Sequence, residues 1–201
     1  GLLGRGGGGC VVAIRAARGA AHLHDESAAL RQHRLRVDAL RGLGGRLPAQ
    51  AGPGPVHLIA HSLGGLLLCH LAAQGGLPES GRVLMLGTPL APSRAARAVG
   101  RLNLGRWMLG PHTLRALLGE RPRWPIARPL GMIAGERRIG LGVLFARGLP
   151  RPHDGTVSVE ETQTQEVTQH LVVRHSHFGM LWARDVHAQI VHFLRTGRFE
   201  P

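Results

Sequence analysis

Ser62 is the residue with the clearest chemical potential, because it stands between an apolar run and a glycine-containing segment. The run V-H-L-I-A-H-S-L-G-G, residues 56–65, predicts a buried strand that turns at the serine into a helix. Small residues two positions on either side of such a serine let the backbones pass closely and expose its hydroxyl. Ala60 and Gly64 hold those positions here. The pattern predicts a serine nucleophile, and the alternative is a serine that only caps the helix.

The helix that follows the serine would stabilise negative charge. We expect this helix over residues 65–73, with the backbone N–H of Leu63 near its start. Free N–H groups at a helix N-terminus attract the charge that develops on a substrate oxygen. Leu63 is therefore the predicted first oxyanion donor, and the sequence assigns no second donor.

A serine hydroxyl needs a base, and the base needs a carboxylate that orients it. In proteins with this kind of serine turn, the chain order is serine, acid, histidine. Asp154 fits that order and lies in H-D-G-T-V, after a proline-rich loop. The alternative for Asp154 is an ordinary turn aspartate before Gly155. The other aspartates, Asp25, Asp38 and Asp185, fall outside the required interval, and the fallback acids are Glu160, Glu161 and Glu166.

The base belongs in the loop between the last strand and the closing helix. That loop, within L-V-V-R-H-S-H-F-G-M-L at residues 171–181, holds His175 and His177. His177 precedes a glycine turn and has the freer reach, so we favour it, with His175 as the alternative. We expect no metal ion and no other cofactor, because no H-E-x-x-H spacing occurs. Surface or packing positions are expected for the remaining histidines, including His57, His61, His70, His187 and His192.

These side chains must be held at the ends of neighbouring strands. Short apolar runs predict strands over residues 10–14, 56–60, 82–87, 130–135 and 171–174. Helical spacing predicts helices over residues 27–47, 65–73 and 184–194. Alternation of buried strands with helices predicts an α/β fold with an open, mostly parallel sheet flanked by helices.

Length and charge bound the organisation of the chain. With 201 residues and 43% hydrophobic content, we expect residues 1–201 to form a single domain. Residues 91–129 are predicted to be a basic insertion or cap-like segment between two strands. Residues 91–151 contain 12 arginines and 2 glutamates. The excess of positive charge is typical of a solvated surface. The alternative is a region that attracts anionic substrates or lipid interfaces.

Composition argues against several other classes of protein. The net charge is +13, but every basic residue is arginine and only 3% of residues are aromatic, so we expect no specific nucleic-acid partner. The two cysteines, Cys10 and Cys69, form no metal or disulfide framework, which favours a reducing, cytoplasmic location. No apolar stretch approaches the ~20 residues of a membrane span. The oligomeric state is not predicted.

Several segments together resemble the α/β-hydrolase superfamily, in particular its bacterial lipase- and esterase-like members. They are A-H-S-L-G-G (60–65), L-G-T-P-L (86–90), D-G-T-V (154–157), S-H-F-G-M-L (176–181) and F-L-R-T-G-R-F (193–199). The resemblance covers about three quarters of the chain, from Val56 onward. It implies an α/β-hydrolase fold and hydrolysis of small-molecule or lipid acyl esters through an acyl-enzyme. Ser62 would be the nucleophile, Asp154 the acid, His177 the base and the Leu63 N–H an oxyanion donor.

The residues before Val56 depart from this pattern. Relatives carry an H-G motif after an early strand, whose backbone supplies the second oxyanion donor, and no such motif occurs here. We therefore expect an N-terminally incomplete fold, and the alternatives are a reading frame that is corrupted there or a protein that lacks half of the oxyanion hole. Loss of one donor costs about 3 kcal/mol of transition-state stabilisation, roughly a hundredfold in rate or more. The alternatives are an impaired hydrolase-fold protein that binds anionic partners, and an acyltransferase that uses the same triad.

Overall fold

Within the described residues, five short strands form one sheet whose spatial order follows the chain order. The structure is a computed structural model that describes residues 10–15 (backbone only), 55–77, 80–91, 123–124, 128–139 and 149–201. The strands are β1 (Cys10–Arg15), β2 (Val56–His61), β3 (Val83–Leu86), β4 (Leu130–Gly135) and β5 (Gln169–Val173). Strands β2 to β5 are parallel, and β1 pairs with β2 in the antiparallel direction. The predicted mostly parallel sheet is confirmed.

Two helices cover opposite faces of this sheet. The first, α1 (Leu63–Ala73), follows β2, and the second, α2 (Arg184–Thr196), follows β5. Successive side chains of a strand point to opposite faces. In β3, accordingly, Val83 and Met85 pack in the core that contains α1, whereas Leu84 and Leu86 pack in the core that contains α2. Apolar runs form central strands here because both of their faces are buried.

The helices differ in how much of their surface is buried. Helix α1 has buried residues on nearly all sides, from Gly64 to Leu71, as expected of a helix that is apolar all round. Helix α2 is amphipathic and buries Val186 and Phe193 against the sheet. It ends at Thr196, and the following Gly197 has a φ of 84°, the left-handed conformation that glycine adopts readily at helix ends.

Several predicted boundaries shift by one or two residues. Helix α1 begins at Leu63 instead of residue 65, because the turn at the serine leads directly into helical backbone. Strand β3 ends before Gly87, whose φ of 54° lies outside the strand region. Strand β5 begins at Gln169, two residues before its apolar run, because the ladder to β4 extends to polar residues.

Some predictions fall partly or wholly outside the described residues. The helix predicted over residues 27–47 lies outside them, and so does most of the basic insertion at residues 91–129. Trp124, one of the few described residues of that insertion, is 1% exposed in the core that contains α1. The assignment of residues 1–201 to a single domain stays a prediction. No helix in the described ranges is long and apolar enough to cross a membrane.

Candidate active site

Ser62 occupies a strained turn between β2 and α1. Its backbone has a φ of 56° and a ψ of −126°. Among the described residues it is the one other than glycine with a positive φ. Such a conformation costs on the order of 1–3 kcal/mol and persists only where the surroundings enforce it. Its N–H donates to the carbonyl oxygen of Leu86 at 2.9 Å, which fixes the turn to the end of β3. The partly exposed Ser62 side chain makes no capping hydrogen bond to the helix, contrary to the cap-only alternative.

A close backbone approach holds this turn in place. A Cβ atom on Gly65 would lie 2.2 Å from the Thr88 Oγ1 atom, so only glycine fits there. The Thr88 hydroxyl donates to the carbonyl oxygen of Ser62 at 2.9 Å, and the Gly65 N–H donates to the same oxygen at 3.0 Å. The steric role predicted for Ala60 and Gly64 does not include this contact, whose signals in the sequence are the second glycine of L-G-G and the threonine of G-T-P-L.

Leu63 is the first residue of α1. The first N–H groups of a helix have no acceptor within that helix and carry the positive end of its dipole. The first turn of α1 contains no acidic residue that would neutralise this end. The Leu63 N–H, next to the Ser62 side chain, is therefore suited to bind an oxyanion.

Asp154 and His177 form a buried hydrogen-bonded pair. The two residues are 1% and 3% exposed, and His177 Nδ1 lies 2.6 Å from Asp154 Oδ2. A carboxylate only accepts, so Nδ1 carries the proton and, in the neutral ring, Nε2 keeps a free lone pair. The other carboxylate oxygen, Oδ1, accepts from the N–H groups of Thr156 and Val157 at 2.8 and 2.7 Å. Asp154 is thereby fixed by its own turn while it orients the imidazole.

Two glycines at strand ends make room for this pair. A Cβ atom on Gly87, directly after β3, would lie 3.0 Å from His177 Nδ1 and 3.1 Å from Asp154 Oδ2. A Cβ atom on Gly135, at the end of β4, would lie 2.8 Å from the Asp154 Cβ atom. The pair therefore packs directly against the backbone of Gly87 and Gly135 at the carboxyl edge of the sheet.

His61 connects the pair to the serine turn. It is the last residue of β2, directly before Ser62, and its Nε2 atom lies 2.9 Å from the carbonyl oxygen of His177. The His61 and His177 rings are 4.6 Å apart between centroids. The structure thus brings Ser62, Asp154 and His177 to one edge of the sheet. Within the described residues no hydrogen bond joins Ser62 Oγ to His177 Nε2, and such bonds often tighten only when substrate binds.

The alternative base, His175, has a different partner. Its Nε2 atom lies 2.9 and 2.8 Å from the two carboxylate oxygens of Asp185, in the first turn of α2. This hydrogen bond lowers the pKa of Asp185. The pair is exposed to solvent, whereas the pair of Asp154 and His177 is buried. The geometry therefore favours His177 over His175 as the base.

Two of the three fallback acids have structural partners of their own, and the third is exposed. Glu161 Oε2 accepts from the Ser158 N–H at 3.0 Å and the Glu161 N–H donates to Ser158 Oγ at 3.3 Å, so the two residues hold each other in a reciprocal pair of hydrogen bonds. Glu166 Oε1 accepts from the Trp124 N–H at 2.9 Å, and Glu160 is exposed. Glu161 and Glu166 therefore have partners other than the imidazole, and Glu160 faces solvent.

The remaining histidines include buried ones. His57 and His61 are 7% and 4% exposed, and His57 Nδ1 accepts from the Arg82 N–H at 2.9 Å. Burial, followed by the charges of Arg82 and Arg128, lowers the pKa of His57. The described part of the chain contains no group of three or more His, Cys, Asp or Glu residues arranged to hold a metal ion.

Comparison with known proteins assigns the family. The sequence profile of a family described as "Alpha/beta hydrolase family" matches residues 1–195. The chain belongs to the α/β-hydrolase family. The resemblance predicted from its motifs is thereby confirmed, as is the fold class. No curated protein sequence matches this α/β hydrolase.

Two solved structures resemble this α/β hydrolase at low identity. One is Bacillus licheniformis lipase BlEst2 in its mature form, with 18% identity and a TM-score of 0.49. The match covers 70% of this chain and 64% of the lipase chain, so this chain spans less than two thirds of that lipase. The other is the propeptide form of the same lipase, with 18% identity, a TM-score of 0.43 and coverage of 62% of this chain and 32% of that chain.

Proposed function

We propose that this α/β hydrolase is a serine hydrolase of acyl esters, with Ser62 as nucleophile, His177 as base and Asp154 as the orienting acid. The observation that carries the proposal is the buried 2.6 Å hydrogen bond between His177 Nδ1 and Asp154 Oδ2, beside the strained serine turn. A His–Asp pair next to a serine is the arrangement that activates an alcohol for attack on a carbonyl. The substrate class is a small-molecule or lipid ester.

The first half-reaction acylates the serine. His177 Nε2 takes the proton of Ser62 Oγ while Oγ forms a bond to the ester carbonyl carbon. The carbonyl π electrons move to oxygen, and the Leu63 N–H at the helix N-terminus binds the resulting oxyanion. The intermediate collapses when the bond to the alcohol oxygen breaks and His177 Nε2 gives its proton to that oxygen. The alcohol leaves and the acyl group stays on Ser62.

The second half-reaction releases the acid. Water attacks the acyl carbonyl as it loses a proton to His177 Nε2, and the same donor binds the oxyanion. The bond to Ser62 Oγ then breaks and Oγ regains the proton from His177. Throughout, Asp154 keeps the Nδ1–H tautomer in place and stabilises the imidazolium. Its Oδ1 atom is occupied by two backbone N–H groups, so the carboxylate does not have to reorient.

A fluorophosphonate probe tests the nucleophile. Such probes label an activated serine, so we expect labelling of the wild-type chain and loss of labelling in Ser62→Ala. Ser80→Ala is the matched control, because Ser80 is an exposed serine before the amino end of β3, away from the site edge. The control should be labelled like the wild type.

Hydrolysis of p-nitrophenyl esters of increasing acyl length then tests the reaction and its acyl preference. An unlabelled wild-type chain, or equal labelling of Ser62→Ala, would refute the proposed nucleophile. Absent labelling together with salt-sensitive binding to polyanions would instead support a binding protein built on the hydrolase fold.

A further inference from the structure

His61 lies where the nucleophile-bearing strand meets the loop that bears the base. It ends β2, is 4% exposed and contacts the His177 ring at 4.6 Å between centroids. Phe178 packs its ring on both imidazoles, 5.7 Å from His61 and 5.4 Å from His177. The sequence alone predicts only a surface or packing position for His61.

The hydrogen bond of His61 indicates which of its ring nitrogens carries the proton. A carbonyl oxygen only accepts, so His61 donates from Nε2 to the oxygen of His177 at 2.9 Å and leaves Nδ1 without a proton. Burial first, and the neighbouring His177 second, lower the pKa of His61 to about 3. His61 is therefore neutral near neutral pH and adds no positive charge when the His177 imidazole becomes protonated.

This bond differs in one respect from the others that hold His177. The His177 N–H donates to the carbonyl oxygen of Asp154 at 3.0 Å, and the ring donates to the Asp154 carboxylate. Both of these bonds tie His177 to the loop after β4. The bond from His61 ties it to β2, whose next residue is Ser62. It therefore bears directly on the distance between the base and the nucleophile.

We propose that His61 is a positioning residue that sets the spacing of Ser62 and His177 through its hydrogen bond to the His177 carbonyl group. This inference rests on the proposed function. A base displaced by a fraction of an ångström transfers a proton less efficiently, because proton transfer requires hydrogen-bond reach.

Two substitutions separate the hydrogen bond from simple packing. His61→Gln places an amide N–H near the position of Nε2 and keeps the donor, whereas His61→Leu keeps much of the volume and removes it. We expect His61→Leu to lower kcat for p-nitrophenyl ester hydrolysis at least about tenfold with KM within about threefold, and His61→Gln to stay within about threefold of wild type. If His61→Leu does not fold, His61→Asn replaces it, because its amide reaches the position of Nδ1 and not that of Nε2.

The matched control is His187→Leu. His187 also has its Nε2 atom 2.9 Å from a backbone carbonyl oxygen, that of Leu181, but the residue is exposed and belongs to α2. We expect its kcat to match that of the wild type. A comparable loss would mean that any bond to the segment after β5 matters, which would overturn the specific role of His61.

A second readout does not depend on activity. The proton on His177 Nδ1, held by Asp154, should give a downfield NMR signal in the wild type and in His61→Gln. We expect His61→Leu to shift or broaden this signal while its far-UV circular dichroism stays native.

Unchanged kcat and an unchanged signal in His61→Leu would overturn the inference, as would equal losses in His61→Leu and His61→Gln. If the wild-type chain neither hydrolyses esters nor reacts with the probe, the proposed function fails. The NMR comparison then decides by itself whether His61 positions the ring.

Discussion

The buried His61 should make the protein less stable in mild acid. Its pKa in the folded chain is lowered to about 3, whereas an unfolded histidine has a pKa of 6.5. Between these values the unfolded chain binds a proton at this position and the folded chain does not. The free energy of unfolding therefore falls as the pH drops from above 6.5 toward 3, and the full contribution is present only above the unfolded pKa.

The size of the effect at a chosen pH follows from the two pKa values. Lowering the pH from about 8 to about 5 should reduce the free energy of unfolding by about 2 kcal/mol through His61 alone. Because the folded pKa lies well below 5, this figure depends almost entirely on the unfolded value. Burial also lowers the pKa of four other histidines, His57, His70, His153 and His170. The free energy of unfolding of the whole protein should therefore fall by more than this amount.

Comparison with a non-titrating variant isolates the share of His61. Urea unfolding of the wild type and of His61→Gln, followed by tryptophan fluorescence and circular dichroism at both pH values, gives four free energies of unfolding. The wild type should lose about 2 kcal/mol more than His61→Gln between the two conditions. The other buried histidines contribute equally to both chains and cancel.

The exposed His187 provides the control for this comparison. His187→Gln should keep the full pH dependence of the wild type, because His61 is intact. If the wild type and His61→Gln lose the same free energy of unfolding, His61 is either accessible or already charged, and the argument from its burial fails.

Three further substitutions test the site and its support. Asp154→Asn should lower kcat by roughly 10⁴-fold, because the imidazole loses its orienting acceptor, and near-wild-type ester hydrolysis would exclude Asp154 as the acid. Gly65→Ala should lower the free energy of unfolding, measured with urea, by about 1–3 kcal/mol, because its methyl group would overlap the Thr88 hydroxyl. The double variant Gly65→Ala with Thr88→Ala should recover part of this loss, and no recovery would contradict the contact. His175→Ala should keep hydrolysis within about threefold of wild type, since His175 pairs with the exposed Asp185, and a loss as large as that of His177→Ala would make His175 the better candidate for the base.

The central strands are predictable from the sequence because buried parallel strands are nearly continuous apolar runs. Strands β3 and β4 are such runs, and β2 is one apart from His57 and its last residue, His61. All three have both faces buried, and their predicted positions agree with the structure within a residue. Strand β5 is less buried and includes Gln169 and His170, so hydrophobicity alone marked only its second part. Periodicity also predicts α2, but its end depends on the left-handed Gly197, three residues beyond Leu194, the last apolar position of the predicted helix.

The candidate site residues are predictable from their order in the chain, but the contacts that support them are not. Asp154 and His177 could be selected because each lies in the interval that the serine turn requires. His61 could not be distinguished from other histidines, since its partner is 116 residues away in the sequence. The contact of Gly65 with Thr88 likewise exists only once β3 lies beside β2.

The absence of side chains at Gly87 and Gly135 has a consequence for altering this protein. Even one added carbon atom at either glycine would press on the Asp154–His177 pair, so libraries that vary these positions should yield mostly inactive clones. Trp182, which is 61% exposed in the segment after His177, offers the opposite situation. Side-chain size is better varied there than at Phe178, whose ring packs on the His61 and His177 imidazoles.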